Sequence, residues 1–373
     1  MTQTNLMIAA GIFHPESGGP ATYLKEILPA LQTHGWQPHV LTYGNDVYND
    51  YPYPVQRIAR QTLPLRLGRY YLASRPMTAK ADLIYAHTID LPVAWRDVPR
   101  VIKIVGDQAW ERCIRRGWVA PTTDIDSFQH ETMGFLVERQ KQSRSAQVRD
   151  FDAVIVPSEY LKQMVVGWGV DAERVHVVYN AMPPATESMP QDKAQVRAQL
   201  GWDERPVIFT AARLTPWKGI DHLITAVHRV PDVRLVVAGD GQDMPRLRSL
   251  ARSLGERVQL LGRISREDVY RYMKAADFFA LYSGYEGLPH TVLEALRVGT
   301  PIIASDKGGN PEVVQDGING VLVPYVNVDA LAQQIEHALS QHAELAANTD
   351  VGMERFTFDN MVQNTDAVLR RYL

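Results

Sequence analysis

Two glutamates, Glu286 and Glu294, stand eight positions apart in the stretch YSGYEGLPHTVLEALRVGTPIIAS, residues 282–305. Glu286 sits in a glycine-flanked loop. Pro289 suits a first helical turn. Val292, Ala295 and Leu296 make a buried side, and Gly299 makes a stop. Glu294 lies inside this short helix. The loop 284–288 then opens a helix, where free backbone N–H groups and the helix dipole attract an anion such as phosphate. A carboxylate beside a phosphate is repelled. Both glutamates therefore suit the hydroxyl groups of a sugar or ribose. The competing explanation is a surface ion pair of Glu294 with Arg297, three residues on.

Other residues carry comparable chemistry. In AARLTPWKGI, residues 211–220, Arg213 and Lys218 fall between a strand end and a helix. A planar guanidinium and a point-charge ammonium there suit a pyrophosphate; the alternative is two solvated loop cations. In FHPESGGPATYL, residues 13–24, Gly18 and Gly19 lead into a helix with Pro20 near its start. Glycines let the backbone approach a ligand and the helix start favours phosphate; the alternative is a plain strand–helix turn. The phosphate loop GxxxxGK[ST] is absent, and AGDGQDMPRL, with Gly239 and Gly241, lacks the third glycine of GxGxxG. His87 closes the apolar run DLIYAH, and Asp107 follows RVIKIVG, so both are expected at the ligand edge of a sheet, with Asp107 a candidate acceptor contact. Asp124–Ile125–Asp126 resembles the metal-binding Asp-x-Asp of some nucleotide-sugar enzymes, but no strand precedes it. No histidine pair has H-x-x-x-H spacing, so no metal site is expected.

These residues need elements to position them. Short apolar runs recur: NLMIAAGIF, PHVLTY, ADLIYAH, RVIKIV, DAVIVPS and RVHVVYN, then PVIFTAAR, VRLVVAGD, RVQLLG, DFFALYS, PIIAS and GVLVP. Strands apolar throughout belong to parallel sheets covered on both faces. Helical patterns lie between them, over 220–230 and 243–254, and such alternation makes right-handed βαβ units. The stretch AMPPATESMPQDK, residues 181–193, has three prolines and no apolar period, and reads as a linker. The expectation is two doubly wound α/β domains facing a central cleft, with ligands at the carboxyl ends of the strands.

The totals agree. The 373 residues allow two or three domains. Hydrophobic content of 45% and charged content of 22% are ordinary for a globular protein. A net charge of −3 argues against a surface built for nucleic acid. The single cysteine, Cys113, excludes an internal disulfide and fits a reducing, cytoplasmic setting. The first apolar run has no basic lead, so it reads as a buried strand and not a signal peptide. Residues 55–75 hold five arginines and no acid, with Leu and Tyr interleaved. That composition suits peripheral contact with an anionic membrane, or equally a solvated helix face framing an acceptor.

Gly18–Gly19, Arg213 with Lys218, and the E-x7-E of Glu286 and Glu294 together resemble the retaining glycosyltransferases of family 4, which have the GT-B architecture of two Rossmann-like domains. The likeness covers nearly the whole chain. It is most specific in AARLTPWKGID, VVAGDGQD, LLGRIS and SGYEGLPHTVLEALRVGTPIIASDKGGNPEVV, which stand in the family's order and spacing.

The resemblance implies a nucleoside-diphosphate sugar as donor substrate, a hydroxyl acceptor, and no cofactor or metal. It implies that Arg213 and Lys218 hold the diphosphate and that Glu294 accepts from the ribose. Glu286 would lie by the transferred sugar, with the backbone of Gly287 and Leu288 adding donors. Arg263 and Ile264 would lie near the nucleobase, Gly18 and Gly19 over the phosphate, and His87 near the sugar. It assigns residues 1–183 plus 358–373 to an acceptor-side domain and 184–357 to the donor domain. Two departures stand out: Asn180–Ala181 where the family often has Asn-Gly, and Pro20, which removes one N–H from its turn. A sugar-nucleotide epimerase, a phosphorylase or a non-catalytic sugar-nucleotide binding module would share the fold.

Overall fold

The structure is a computed structural model that describes residues 4–16, 18–46, 48–94, 97–182 and 192–373. The expected linker falls largely on residues 183–191, outside the described residues.

By its internal contacts the chain divides into two compact units. The first comprises Met1–Glu111, Gly134–Val178 and Asp359–Leu373; the second comprises Arg112–Met133 and Tyr179–Phe358. Residues 112–133 thus group with the second unit, where the sequence reading had them in the first. The chain enters the second unit at Tyr179, whose ring meets Phe356 at 5.2 Å and whose hydroxyl bonds Glu312 at 3.1 Å.

The first unit holds a seven-stranded sheet, every pairing parallel. Its strands are β1 (Thr4–Ala9), β2 (Trp36–Tyr43), β3 (Val55–Ile58), β4 (Leu83–Ala86), β5 (Arg100–Lys103), β6 (Ala153–Val156) and β7 (Val175–Val177). Their order is β3-β2-β1-β4-β5-β6-β7. The tail helix Phe358–Arg371 packs within this unit. Asp366 takes the Trp36 indole N–H at 2.6 Å and pairs with His34 at 3.3 Å, and Thr365 lies 3.4 Å from the Tyr23 hydroxyl.

The second unit holds six parallel strands: β8 (Val207–Ala211), β9 (Arg234–Ala238), β10 (Val258–Gly262), β11 (Phe278–Leu281), β12 (Ile302–Ser305) and β13 (Gly320–Val323), in the order β10-β9-β8-β11-β12-β13. Its strands are predominantly apolar because alternate side chains enter different cores. Ile208, Phe278 and Ala280 join one cluster, while Phe209, Phe279 and Leu281 join the other. Truncating a fully buried side chain such as Phe209 to alanine costs about 3–5 kcal/mol. The helix Ile220–Arg229 buries Ile220, Leu223, Ile224 and Val227, the face its spacing predicts.

In both sheets the direction of winding reverses once. The reversal lies between β1 and β4 in the first unit and between β8 and β11 in the second. Ligands of open parallel sheets bind outside the strand ends at such a switch point. The loops after β8 and β11 carry Arg213, Lys218 and Glu286. Those after β1 and β4 carry Gly18, Gly19 and His87.

Candidate active site

In the second unit the two loops at the switch point are tied together. The Gly284 N–H donates to the Trp217 carbonyl at 2.7 Å. This brings Lys218 Nζ to 2.5 Å from Glu286 Oε1, with both side chains largely buried. The expectation gave these residues separate ligand contacts; they also hold each other. A glycine pair downstream supports the Glu286 loop. Gly309 donates its N–H to the Glu286 carbonyl at 2.9 Å. A Cβ at Gly308 would fall 2.5 Å from that carbonyl oxygen, and one at Gly309 2.6 Å from the Gly287 oxygen.

Glu294 lies in the helix His290–Arg297, whose buried side is Val292, Leu293, Ala295 and Leu296. The helix starts after Pro289, which serves as its N-cap, and Gly299 follows it with φ 82°. Glu294 does not pair with Arg297. Its Oε1 accepts from Tyr270 Oη and Arg266 Nη2, each at 3.1 Å, and Oε2 has no hydrogen bond among the described residues. Burial, and then the Glu294 charge, push the Tyr270 phenol up to about 12. It therefore stays protonated and a donor to Glu294 Oε1. Sequence reasoning missed Arg266 and Tyr270, because their helix, Arg266–Ala275, reaches Glu294 only through the fold.

Arg213 and Arg263 are exposed, and their guanidinium groups have no hydrogen-bond or ion-pair partner among the described residues. Ile264 packs partly buried against the core that includes Leu288. Gly239 and Gly241 serve packing. A Cβ at Gly239 would stand 1.9 Å from the Ala212 oxygen, and one at Gly241 2.2 Å from the Leu214 oxygen. The turn after β9 is thereby pressed against the Arg213 loop, and Gly239 donates its N–H to the Gly262 carbonyl at 2.7 Å. Arg213 and the turn before Arg263 are braced by the same two glycines.

In the first unit Gly18 N-caps the helix Gly19–Thr33, both glycines are exposed, and Pro20 occupies its first turn. His87 follows β4, is 6% exposed, and its Nε2 has no hydrogen bond among the described residues. Burial, then the nearby Lys103 charge, hold it well below the usual histidine range, so it is neutral.

Asp107 departs from expectation. It is fully buried; Oδ1 accepts from the N–H of Ala109 at 2.8 Å and of Trp110 at 3.2 Å, and Oδ2 pairs with Arg144. Arg144 in turn lies 4.1 Å over the Trp168 ring. A carboxylate with no exposed surface and both oxygens engaged caps and braces the helix Gln108–Arg115; it has no oxygen to spare for an acceptor. Asp124 is likewise a cap, accepting from the Ser127 N–H at 2.9 Å, and Asp126 lies 3.7 Å from Lys307.

A doubly wound parallel sheet in each unit, with one reversal of winding in each, is the architecture of GT-B proteins. The family model for glycosyl transferases group 1 matches residues 192–350, and that for Glycosyltransferase Family 4 matches residues 17–185. The chain belongs to glycosyltransferase family 4. It is 38% identical over 203 residues to a D-inositol 3-phosphate glycosyltransferase of Mycobacterium sp. (strain KMS), covering 52% of this chain and 46% of that protein. The chain thus spans about half the length of the first curated relatives it matches. It is 28% identical to a GDP-mannose-dependent alpha-(1-6)-phosphatidylinositol monomannoside mannosyltransferase of Mycolicibacterium smegmatis, covering 92% of this chain and 91% of that one. HepE of Anabaena, solved in complex with UDP-glucose, superposes with a TM-score of 0.75 at 22% identity over the full length of both chains, which shows the shared fold.

Proposed function

We propose that the protein is a retaining glycosyltransferase, moving a sugar from a nucleoside diphosphate to a hydroxyl acceptor. The observation that carries this reading is the Lys218–Glu286 pair at the β8–β11 switch point, with Arg213 beside it in sequence and exposed. A diphosphate entering there meets two cations, Arg213 and Lys218, suited to its charge. It competes with Glu286 for the Lys218 ammonium and releases a carboxylate to accept from sugar hydroxyls. Glu294, with Oε2 left open, suits the two ribose hydroxyls. Arg263 and Ile264 flank the place for the base. The backbone of Gly287 and Leu288 leads into the helix start and adds to the phosphate cradle. Gly18, Gly19 and neutral His87 are the first unit's contribution to phosphate and sugar.

In the step proposed, the bond from the anomeric carbon to the diphosphate oxygen breaks as the acceptor oxygen bonds to the same face of that carbon. The acceptor proton passes to the leaving phosphate. Arg213 and Lys218 stabilise the charge growing on that phosphate, which is where transition-state stabilisation is largest. This path needs neither a carboxylate nucleophile nor a metal ion.

The acceptor belongs near a membrane surface on this reading. The helix Leu63–Thr78 exposes Leu63, Leu65, Tyr71 and Leu72, at 47–61%, beside exposed Arg69 and Arg75. Arg57 is tied to the His14 carbonyl and Arg60 to Glu16, and Arg66 lies over the Tyr43 ring. Two of the five arginines of the stretch therefore remain for anionic lipid. No helix of the described residues is long and apolar enough to cross a membrane.

The reading is tested by a thermal-shift panel of UDP, GDP, ADP and their sugars, followed by transfer assays with the sugar nucleotide that binds. A ligand bound only by the folded state raises the melting temperature. Stabilisation by one nucleotide family and transfer with retained configuration are expected. Conversion of the donor without an acceptor would point to an epimerase, and binding without transfer to any acceptor would leave only a binding module.

A further inference from the structure

The carboxyl edge of the first sheet holds a second pair of polar side chains. Strands β4 and β5 pair in parallel with Ala86 opposite Ile102. One residue on, His87 and Lys103 stand side by side on one face of the sheet. Lys103 is 3% exposed and His87 6%. Neither Lys103 Nζ nor His87 Nε2 has a hydrogen-bond partner among the described residues.

Among the described residues, what surrounds them is aromatic and neutral. Lys103 Nζ stands 4.0 Å from the centroid of the Tyr23 ring, and the His87 ring lies 5.5 Å from Tyr23 and 4.3 Å from Tyr85. The two phenols bond each other at 3.1 Å, and Tyr23 also meets Thr365 of the tail helix. Burial pushes Tyr23 up to about 12 and Tyr85 well above the usual tyrosine range, so neither supplies a negative charge. Burial also draws Lys103 down to about 7. A buried ammonium without a counter-ion is costly, and an apolar side chain of similar volume would pack there more stably. Core packing therefore gives no reason for the amine. A ligand does: an oxyanion would supply the missing counter-charge and accept from both the Lys103 ammonium and the Nε2–H tautomer of His87.

We propose that His87 and Lys103 form a subsite for an oxyanion, a carboxylate or phosphate group, carried by a sugar ligand that reaches this edge of the first unit. The inference deepens the proposed transferase reading and rests on it for the nature of the ligand. It narrows the substrates to acidic or phosphorylated sugars.

Calorimetry and thermal shift at pH 7 with glucuronate, glucose 6-phosphate, inorganic phosphate, neutral glucose and the nucleoside diphosphate selected above test it. The intact chain should bind glucuronate or glucose 6-phosphate at least tenfold more tightly than glucose. Preference for one names the carboxylate or the phosphate as the source. Lys103→Met should lose that preference and keep nucleotide binding. Equal affinity for acidic and neutral sugars, inorganic phosphate matching both acidic sugars, or an unchanged preference in Lys103→Met would overturn the subsite. Loss of nucleotide binding by the intact chain would instead strike the donor reading alone. If Lys103→Met does not fold, carbon-detected NMR of Lys103 in the intact chain decides: a saturating acidic sugar should move its titration upward, and an unmoved titration rejects the proposal.

Discussion

Lys218 Nζ lies 2.5 Å from Glu286 Oε1, although the two residues are 68 positions apart. The contact exists because β8 and β11 are neighbours in the sheet, so the loops that follow them run side by side. Each residue holds the other in place before any ligand arrives. For the neighbouring cation, Arg213→Ala should lower kcat/KM by two orders of magnitude or more, about 3 kcal/mol. Steady-state transfer assays check this, and unchanged turnover would sink the diphosphate role.

Glu294 should act on nucleotide affinity. Losing hydrogen bonds to a charged acceptor costs roughly 1.5–3 kcal/mol, so Glu294→Ala should weaken nucleoside diphosphate binding by about ten- to a hundredfold. Calorimetry with ribo- and 2′-deoxyribonucleotides separates the contact from a general loss. The variant should no longer distinguish the two sugars, and retained discrimination would remove Glu294 from the ribose.

Asp107 should prove structural. Asp107→Asn removes the charge that Arg144 faces in a buried setting. Breaking a buried ion pair costs about 3–5 kcal/mol. The melting temperature should fall by several degrees, while activity per folded molecule stays within a few-fold. A variant with normal stability and lost turnover would restore the acceptor role.

Lys103 makes stability depend on pH. Its folded-state value is about 7, against an ordinary 10.5. Between those values the unfolded chain binds more protons than the folded one, so stability rises with pH across that window. Below about 7 the amine is charged in both states and its burial penalty is fully present; above 10.5 the penalty is gone. Lys103→Met removes the term. Its melting temperature should exceed that of the parent chain at pH 7, and the gap should narrow by pH 9.5. A gap that is constant with pH would refute the depressed titration.

The exposed apolar residues of the helix Leu63–Thr78 should carry membrane contact. Anionic lipid attracts each nearby Lys or Arg by about 1 kcal/mol, and Leu65 and Leu72 add apolar surface. The chain should float with vesicles containing anionic lipid at low salt. Leu72→Asp with Arg69→Glu should abolish flotation without lowering the melting temperature. No binding by the parent chain would end the membrane proposal.

What the sequence determined by itself was the local pattern. Twelve apolar runs are twelve of the thirteen strands, because strands covered on both faces are predominantly apolar. The exception, β3 (Val55–Ile58), has polar Gln56 and Arg57 and pairs on one side only, so it hid within the basic stretch. The resemblance to family 4 was legible because its motifs are contiguous or keep fixed spacing.

Tertiary structure decided which polar groups meet. Lys218 finds Glu286, and Glu294 finds Arg266 and Tyr270 instead of its helical neighbour Arg297. Asp107 is spent on a cap and an ion pair, while Lys103, a charge inside the run RVIKIV, is buried beside His87. Residues 112–133 take their contacts from the second unit. Periodicity is a property of a few consecutive residues; hydrogen-bond partners depend on which strands the winding order makes neighbours, and that order is set only when the whole sheet assembles.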